Sequence, residues 1–279
     1  MTLIRLTILS SALILILISG PFFKDLSMGQ DTERSKLHIY ALRYGQSRFK
    51  LKDIYLSEKN SKSTEFVWLF YLVTLENRKI LIDTGFSNDN KASYYRLTEY
   101  THPTKLLSQL GIKPDDITDV IITHKHFDHS GLIYLYRNAD IYIQKEAYQS
   151  LLYKRSGMQP AGIPEFLKTS RLIQVMKGDY SISSSIDIRK SGGHTKGSQL
   201  VLLKTKKAPI IFTGDECYFI EGCLNTRINS HTENRQNNLS ALVWMKTAVK
   251  NKSATLLSFH DPVICRSYPQ IHKNIFQIQ

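Results

Sequence analysis

The chain has 279 residues, 42% of them hydrophobic, and carries 37 Lys and Arg against 24 Asp and Glu, a formal net charge of +13. That apolar share, with no internal repeat and no low-complexity tract, excludes a disordered tail and a solenoid. Nucleic acid is not expected as a partner: the cations are scattered, the densest group being Lys204, Lys206 and Lys207, and none alternates with aromatic residues as a single-strand platform requires. A basic surface suits anionic membranes or anionic substrates equally well.

Residues 1–30 stand apart. Leu6 to Ser19 is apolar except for small hydroxyl residues, follows Arg5 and ends at Gly20-Pro21, which is the layout of an export signal. The mature chain is therefore expected outside the cytoplasm, periplasmic or secreted. The apolar run continues to Phe23 and no small-x-small cleavage site is clean, so the alternative is that residues 6–23 stay in place as a membrane anchor; about eighteen apolar residues just suffice to span a bilayer. No cysteine follows closely, which excludes lipid attachment there. Residues 36–279 are expected to form one α/β domain with a full core.

In chain order, Leu37 to Tyr44 predicts a first strand, and Glu65 to Thr74 with Lys79 to Ile82 a hairpin turning at Glu76-Asn77-Arg78. Asp83-Thr84-Gly85 ends its second arm. A helix over Pro103 to Leu110 closes at Gly111, and Ile117 to Ile122 is the next strand. Leu132 to Tyr134 and Asp140 to Gln144 continue the alternation, followed by a helix from Glu146 to Tyr153. Gly157, Pro160, Gly162 and Pro164 make 154–170 an irregular excursion of the kind that covers a site. Strands are predicted at Ser181 to Ile188, Leu200 to Lys204, Pro209 to Phe212 and Ala254 to Phe259, and a helix at Asn238 to Val249. Two β-rich halves with helices between and outside them predict a layered α/β sandwich rather than a doubly wound sheet.

The chemistry concentrates in Thr123-His124-Lys125-His126-Phe127-Asp128-His129, directly after the apolar Val120-Ile121-Ile122. Side chains alternate along an extended chain, so His124 and His126 point the same way, and a turn beyond them can bring Asp128 and His129 to a second metal position. Solvent histidines on a polar turn are the plainer reading. Against it, three of nine histidines fall in this segment, and further candidates recur after β-prone stretches: Gly193-His194, Thr213-Gly214-Asp215 and Phe259-His260-Asp261. Three cysteines are an odd set for an exported chain. A Cys217 to Cys223 disulfide would leave Cys265 free, and Cys217, two residues after Asp215, reads as a small buried residue rather than a ligand.

In order and spacing these motifs resemble the metallo-β-lactamase superfamily, from Leu81-Ile82-Asp83-Thr84-Gly85 to His260. The resemblance implies a four-layer αββα sandwich with a binuclear site on one edge. It implies that His124, His126 and His194 ligate one metal, that Asp128, His129 and His260 ligate a second, and that Asp215 bridges them. Two zinc ions are the implied cofactor, other divalent transition metals serving in their place. Asp83 is expected to hydrogen-bond a ligand imidazole.

Within the superfamily the likeness is to N-acyl homoserine lactone lactonases. It rests on Tyr218, three residues after Asp215, where that branch places a tyrosine on the lactone carbonyl, and on Phe127, where it keeps a phenylalanine at the substrate mouth. The implied activity is opening of the lactone ring by a hydroxide bridging the metals, with Asp128 and Tyr218 catalytic and Phe127 and Tyr218 contacting a small ester or lactone substrate. Packing alone is the plainer role for both aromatics. The chain departs from the branch at Gly193-His194-Thr195-Lys196-Gly197-Ser198, where a second histidine is customary, and in its amino-terminal segment. The alternatives on the same centre are a glyoxalase II-like thioesterase, marked by basic residues gripping a glutathione carboxylate that the sequence does not locate, and a phosphodiesterase. A catalytically silent binding protein is disfavoured by the complete ligand set. The sequence carries no signal for acyl specificity or oligomeric state.

Overall fold

From Phe66 to Val73 no side chain is charged, and all eight residues are buried, which a strand achieves only when both of its faces are covered. In the computed structural model, which describes residues 37–87, 95–153 and 162–279, this run lies at the heart of a large sheet. The segment expected to be an export signal, and 154–161 of the expected excursion, lie outside the described residues.

The chain opens with β1 (His38–Lys50), the short helix α1 (Leu51–Ile54), β2 (Ser63–Leu75) and β3 (Arg78–Ile82), an antiparallel run whose hairpin turns where the sequence predicts. After α2 (Pro103–Gln109), which starts on a proline as a helix end permits, β4 (Asp119–Ile121) pairs parallel with β3. Next come the one-turn helix α3 (Phe127–Ser130), β5 (Asp140–Gln144), α4 (Lys145–Leu152), α5 (Gly162–Thr169) and β6 (Ile173–Met176). The second sheet begins with β7 (Tyr180–Ser181), β8 (Ile186–Lys190), β9 (Gln199–Leu203) and β10 (Ile210–Phe212). The chain then forms α6 (Ile220–Leu224), the long α7 (Arg235–Lys252), β11 (Thr255–Leu257), α8 (Pro262–Ser267), β12 (Gln270–His272) and β13 (Ile275–Gln277).

The strand orders are β12-β13-β1-β2-β3-β4-β5-β6 and β11-β10-β9-β8-β7. Alternation along β2 explains the layers. Leu69, Tyr71 and Val73 face Ile188, Val201 and Phe212 of the other sheet, whereas Phe70 and Leu72 face outward to Leu106, Leu107 and Leu151 of the helices. On the far side, Leu242 and Met245 of α7 cover Leu200 and Ile211. Helix, sheet, sheet and helix stack in the αββα sandwich that the family resemblance implies, within a compact unit running from Ser35 to Gln279. No helix among the described residues is long and apolar enough to cross a membrane.

Four expectations need correction. The strand expected over Ser181 to Ile188 is a hairpin, because Ser183-Ser184-Ser185 bring no apolar side chain to bury and Ser183 Oγ accepts from the Ser185 amide instead. Part of the expected excursion is α5: Pro164 lies in its first turn, where no helical amide is needed, and Ile163 and Leu167, four apart, are buried. Leu132 to Tyr134 lead into a 3-10 turn at Ile133–Leu135, not a strand. The three cysteines are free thiols; Cys223 Sγ lies 3.8 Å from Met245 Sδ rather than bonded to Cys217.

The loop between β8 and β9 packs directly on α4: a Cβ at Gly197 would meet Ala147 Cβ at 2.8 Å and Ala147 Cα at 3.0 Å. Gly197→Ala is expected to lower stability by about 2 kcal/mol through overpacking, read as a shift in the urea midpoint. Gly162→Ala, whose new carbon comes no closer than 3.6 Å to Tyr134, should stay within about 0.5 kcal/mol. Equal midpoints for the two variants would refute this packing argument.

Candidate metal centre

Parallel neighbours end at the same edge of a sheet, so the loops after β3 and β4, and those after β10 and β11, open on one side of the sandwich. Asp83 follows β3, the histidine segment follows β4, Asp215 follows β10 and His260 follows β11. His194 joins them from the loop between β8 and β9. All the metal-site residues picked out by the sequence therefore converge, and all but the half-buried His126 are buried: His124 and His194 are fully buried and Asp215 is 5% exposed.

Two groups form. His126 Nδ1 lies 3.0 Å from both His124 Nε2 and His194 Nε2, and those two Nε2 atoms stand 3.6 and 3.4 Å from Asp215 Oδ2. The other oxygen, Asp215 Oδ1, is 3.1 Å from both His129 Nε2 and His260 Nε2, which in turn are 3.3 and 3.6 Å from Asp128 Oδ2. Each set could hold one cation. Ligands about 2.1 Å from a tetrahedral metal stand roughly 3.4 Å apart, which is the range seen here. His129 Nε2 and Asp215 Oδ1 are buried without a hydrogen-bond partner, and His126 Nδ1 faces two imidazole nitrogens at once. A cation in each set satisfies all of these atoms, so the donor set fits two metal ions.

Electrostatics agree with that fit at the first group. Burial pushes the imidazoles of His124, His126 and His194 below the ordinary range, His194 to about 3, leaving them neutral as ligands must be. Burial alone would raise the Asp215 carboxyl, but His129, His260 and His124 outweigh it and hold it well below the usual range. Burial would likewise lower His129; Asp215, Asp128 and Asp83 overcome that and hold it well above.

Asp83 orients both groups. Its Oδ2 accepts from His129 Nδ1 at 2.6 Å and from Thr123 Oγ1 at 2.7 Å, and that hydroxyl lies 3.1 Å from His124 Nδ1. His260 Nδ1 donates to the Val67 carbonyl at 3.0 Å, which fixes which nitrogen faces the carboxylates.

Sequence reasoning missed Glu216. This buried carboxylate accepts from the Gly193 and His194 amides, both at 3.0 Å, and from Asn238 Nδ2, so it ties the His194 loop to the turn that presents Asp215. Its position beside Asp215 was the available signal. Glu233 was missed as well: it accepts from Lys125 Nζ at 2.6 Å and from the Lys196 amide at 2.9 Å, clamping the two loops that carry the first histidine set.

A cavity of about 880 Å³ opens over the two groups, lined by Phe66, Trp68, Tyr95, Phe127 and Tyr218 among others. The Phe127 ring stacks on Tyr95 with centroids 5.2 Å apart, and the Tyr218 ring meets His194 and His260 edge-on. The Tyr218 hydroxyl has no hydrogen-bond partner among the described residues, and burial raises its pKa well above the ordinary value, so it keeps its proton. Cys217 is buried next to this wall but belongs to neither metal group.

Comparison with known proteins places the chain. The model of the metallo-beta-lactamase superfamily matches residues 68–260. The chain is 24% identical over 221 residues to the N-acyl homoserine lactonase AiiA of Bacillus thuringiensis subsp. kurstaki, covering 73% of this chain and 86% of that one. It is 21% identical over 250 residues to the N-acyl homoserine lactonase AttM of Rhizobium radiobacter, covering 81% and 94%. Among solved structures, a quorum-quenching N-acyl homoserine lactone lactonase superposes with a TM-score of 0.71 at 22% identity, over 84% of this chain and 96% of that one. AidC, a dizinc quorum-quenching lactonase, superposes with a TM-score of 0.64 at 16% identity, over 82% and 88%. The family match runs from the central strand to the last histidine of the centre, so the chain belongs to the metallo-beta-lactamase superfamily and is a metal-dependent hydrolase.

Proposed function

We propose that the chain holds two zinc ions and opens the ring of N-acyl homoserine lactones. The carrying observation is Asp215, whose two carboxylate oxygens face separate sets of imidazoles at the floor of a cavity walled by aromatic side chains. The lactonases among the relatives support the substrate class. His124, His126, His194 and Asp215 would hold one ion, and Asp128, His129, His260 and Asp215 the other. When bound, such a pair supplies Lewis acidity and brings the pKa of water toward neutrality.

The protein supplies the rest. Tyr218, at the cavity wall and still protonated, donates a hydrogen bond to the carbonyl oxygen as it gains charge. Burial would raise the Asp128 carboxyl, but His129 holds it below the usual range, and it takes the proton released by the attacking water and returns it to the ring oxygen as the carbon–oxygen bond breaks. Phe66, Trp68 and Phe127 exclude water around the acyl arm. Hydrolysis of a thioester or a phosphodiester at the same centre is the second reading, and the cations Arg48, Lys50 and Arg96 at the cavity mouth favour it.

The location proposed is outside the cytoplasm, by export through residues 1–30 or with residues 6–23 kept as an anchor, on the strength of Arg5 and the apolar run behind it. A fusion of residues 1–35 to a reporter active only outside the cytoplasm is expected to be active. Activity confined to the cytoplasm would contradict export.

Elemental analysis of the purified protein is expected to find close to two transition-metal ions per chain, mainly zinc. Asp215→Ala removes a donor from both sets and should lower occupancy and turnover together. Fewer than one ion per folded chain would refute the binuclear reading.

Tyr218→Phe keeps the ring and removes the donor. Loss of one such donor typically costs roughly 3 kcal/mol, about a hundredfold in turnover, and metal content should not change. Full lactonase activity in that variant would reduce Tyr218 to a packing residue, and a wild type that leaves lactones intact while cleaving thioesters would transfer the assignment to the second reading.

A further inference from the structure

The cavity has two chemically different parts. Its wall is aromatic, and its mouth carries Arg48, Lys50 and Arg96. Some cations of this basic chain are neutralised in pairs, as Arg78 is by Asp119 and Lys204 by Asp187. The three at the mouth are not. Arg48 lies opposite Glu65 in the ladder of β1 and β2, yet Arg266 of α8 takes that carboxylate at 2.5 Å, and Arg48 donates to Ser63 instead. Lys50 and Arg96 form no ion pair among the described residues. Outside the metal-ligand groups the lining holds two acids, and one of them, Glu233, is neutralised by Lys125.

Arg96 is also held in place. Tyr95 stacks on Phe127, and Thr98 pairs with Gln46 through backbone hydrogen bonds of 2.8 and 3.1 Å, which fixes the segment against β1. Between these anchors Arg96 adopts the left-handed backbone, φ +51°, uncommon for such a side chain. The second acid, Asp53, leaves three cations facing one unpaired carboxylate among the described residues, and a low-dielectric aromatic wall ending in that excess of positive charge concentrates field at the opening and selects for negative charge there.

We propose that the mouth binds an anionic group at the far end of the substrate's acyl arm, so that substrates tipped with a carboxylate are preferred to those tipped with a methyl group. This rests on reading the cavity as the acyl pocket of a hydrolase. The test pairs a carboxylate-tipped with a methyl-tipped acyl chain of equal length, each made as a homoserine lactone and as a thioester. For the metal-loaded protein at low salt, kcat/KM should favour the carboxylate tip about tenfold, the sum of a few exposed ion pairs, and the preference should shrink at high salt. In Arg48→Gln/Lys50→Gln/Arg96→Gln the ratio should fall to about one. Arg96→Gln alone should reduce it partly, and serves if the triple variant does not fold. Calorimetry with the paired ring-opened products gives the same comparison without turnover.

Equal treatment of the pair by the wild type, or a ratio that survives the substitutions, overturns the proposal. Lactones left intact while the thioester pair shows the preference would overturn the lactone reading and uphold the anion site. Lactones cleaved without preference would do the reverse.

Discussion

Everything at this centre depends on one buried carboxylate that has to serve two sides at once. Asp215 has two oxygens, and each faces a different pair of imidazole nitrogens between 3.1 and 3.6 Å away. A carboxylate this deeply buried stays ionised only where positive charge or strong donors surround it. His129, His260 and His124 hold it in that state against its burial. Convergence of the histidines with Asp215 requires the loops after β4, β8, β10 and β11 to reach one edge of the sandwich, and the parallel pairings β3 with β4 and β10 with β11 align all of these but the His194 loop.

The outer supports follow the same logic of holding like groups together before any ion arrives. Asp83 acts on His129 directly and on His124 through Thr123, so a single side chain orients members of both sets. It occupies a left-handed backbone position, φ +62°, which an aspartate tolerates better than most residues. Glu233 works from the solvent side, where Lys125, between His124 and His126, offers the cation that lets it tie the loops.

Much of this could be read from the residues. His124 and His126 alternate on an extended segment, and a run such as Phe66 to Val73 announces a strand covered on both faces. The layers could be read because helical and strand periods differ and the apolar runs respect them. What could not be read falls into two kinds. Pro164 and Gly162 look like breakers, yet a proline in a first turn breaks nothing, and only the burial of Ile163 and Leu167 reveals the helix. The basic residues at the mouth are distant in sequence and ordinary in type. Their meaning comes from Glu65 being engaged by Arg266, a fact of three-dimensional neighbourhood that no local pattern encodes.

Glu216 carries a consequence of a different sort. Its carboxylate fills the space that a side chain on residue 193 would need, since a Cβ there would also come within 2.6 Å of the Asn238 amide nitrogen. The contact with Asn238 is to its backbone, so residue 193 has to be glycine whatever side chain stands at 238, while Asn238 Nδ2 holds the Glu216 carboxylate in place. A loop transplanted from a relative between β8 and β9 would therefore need a glycine at that position, with a carboxylate at 216 to receive its amides, to seat the histidine it carries.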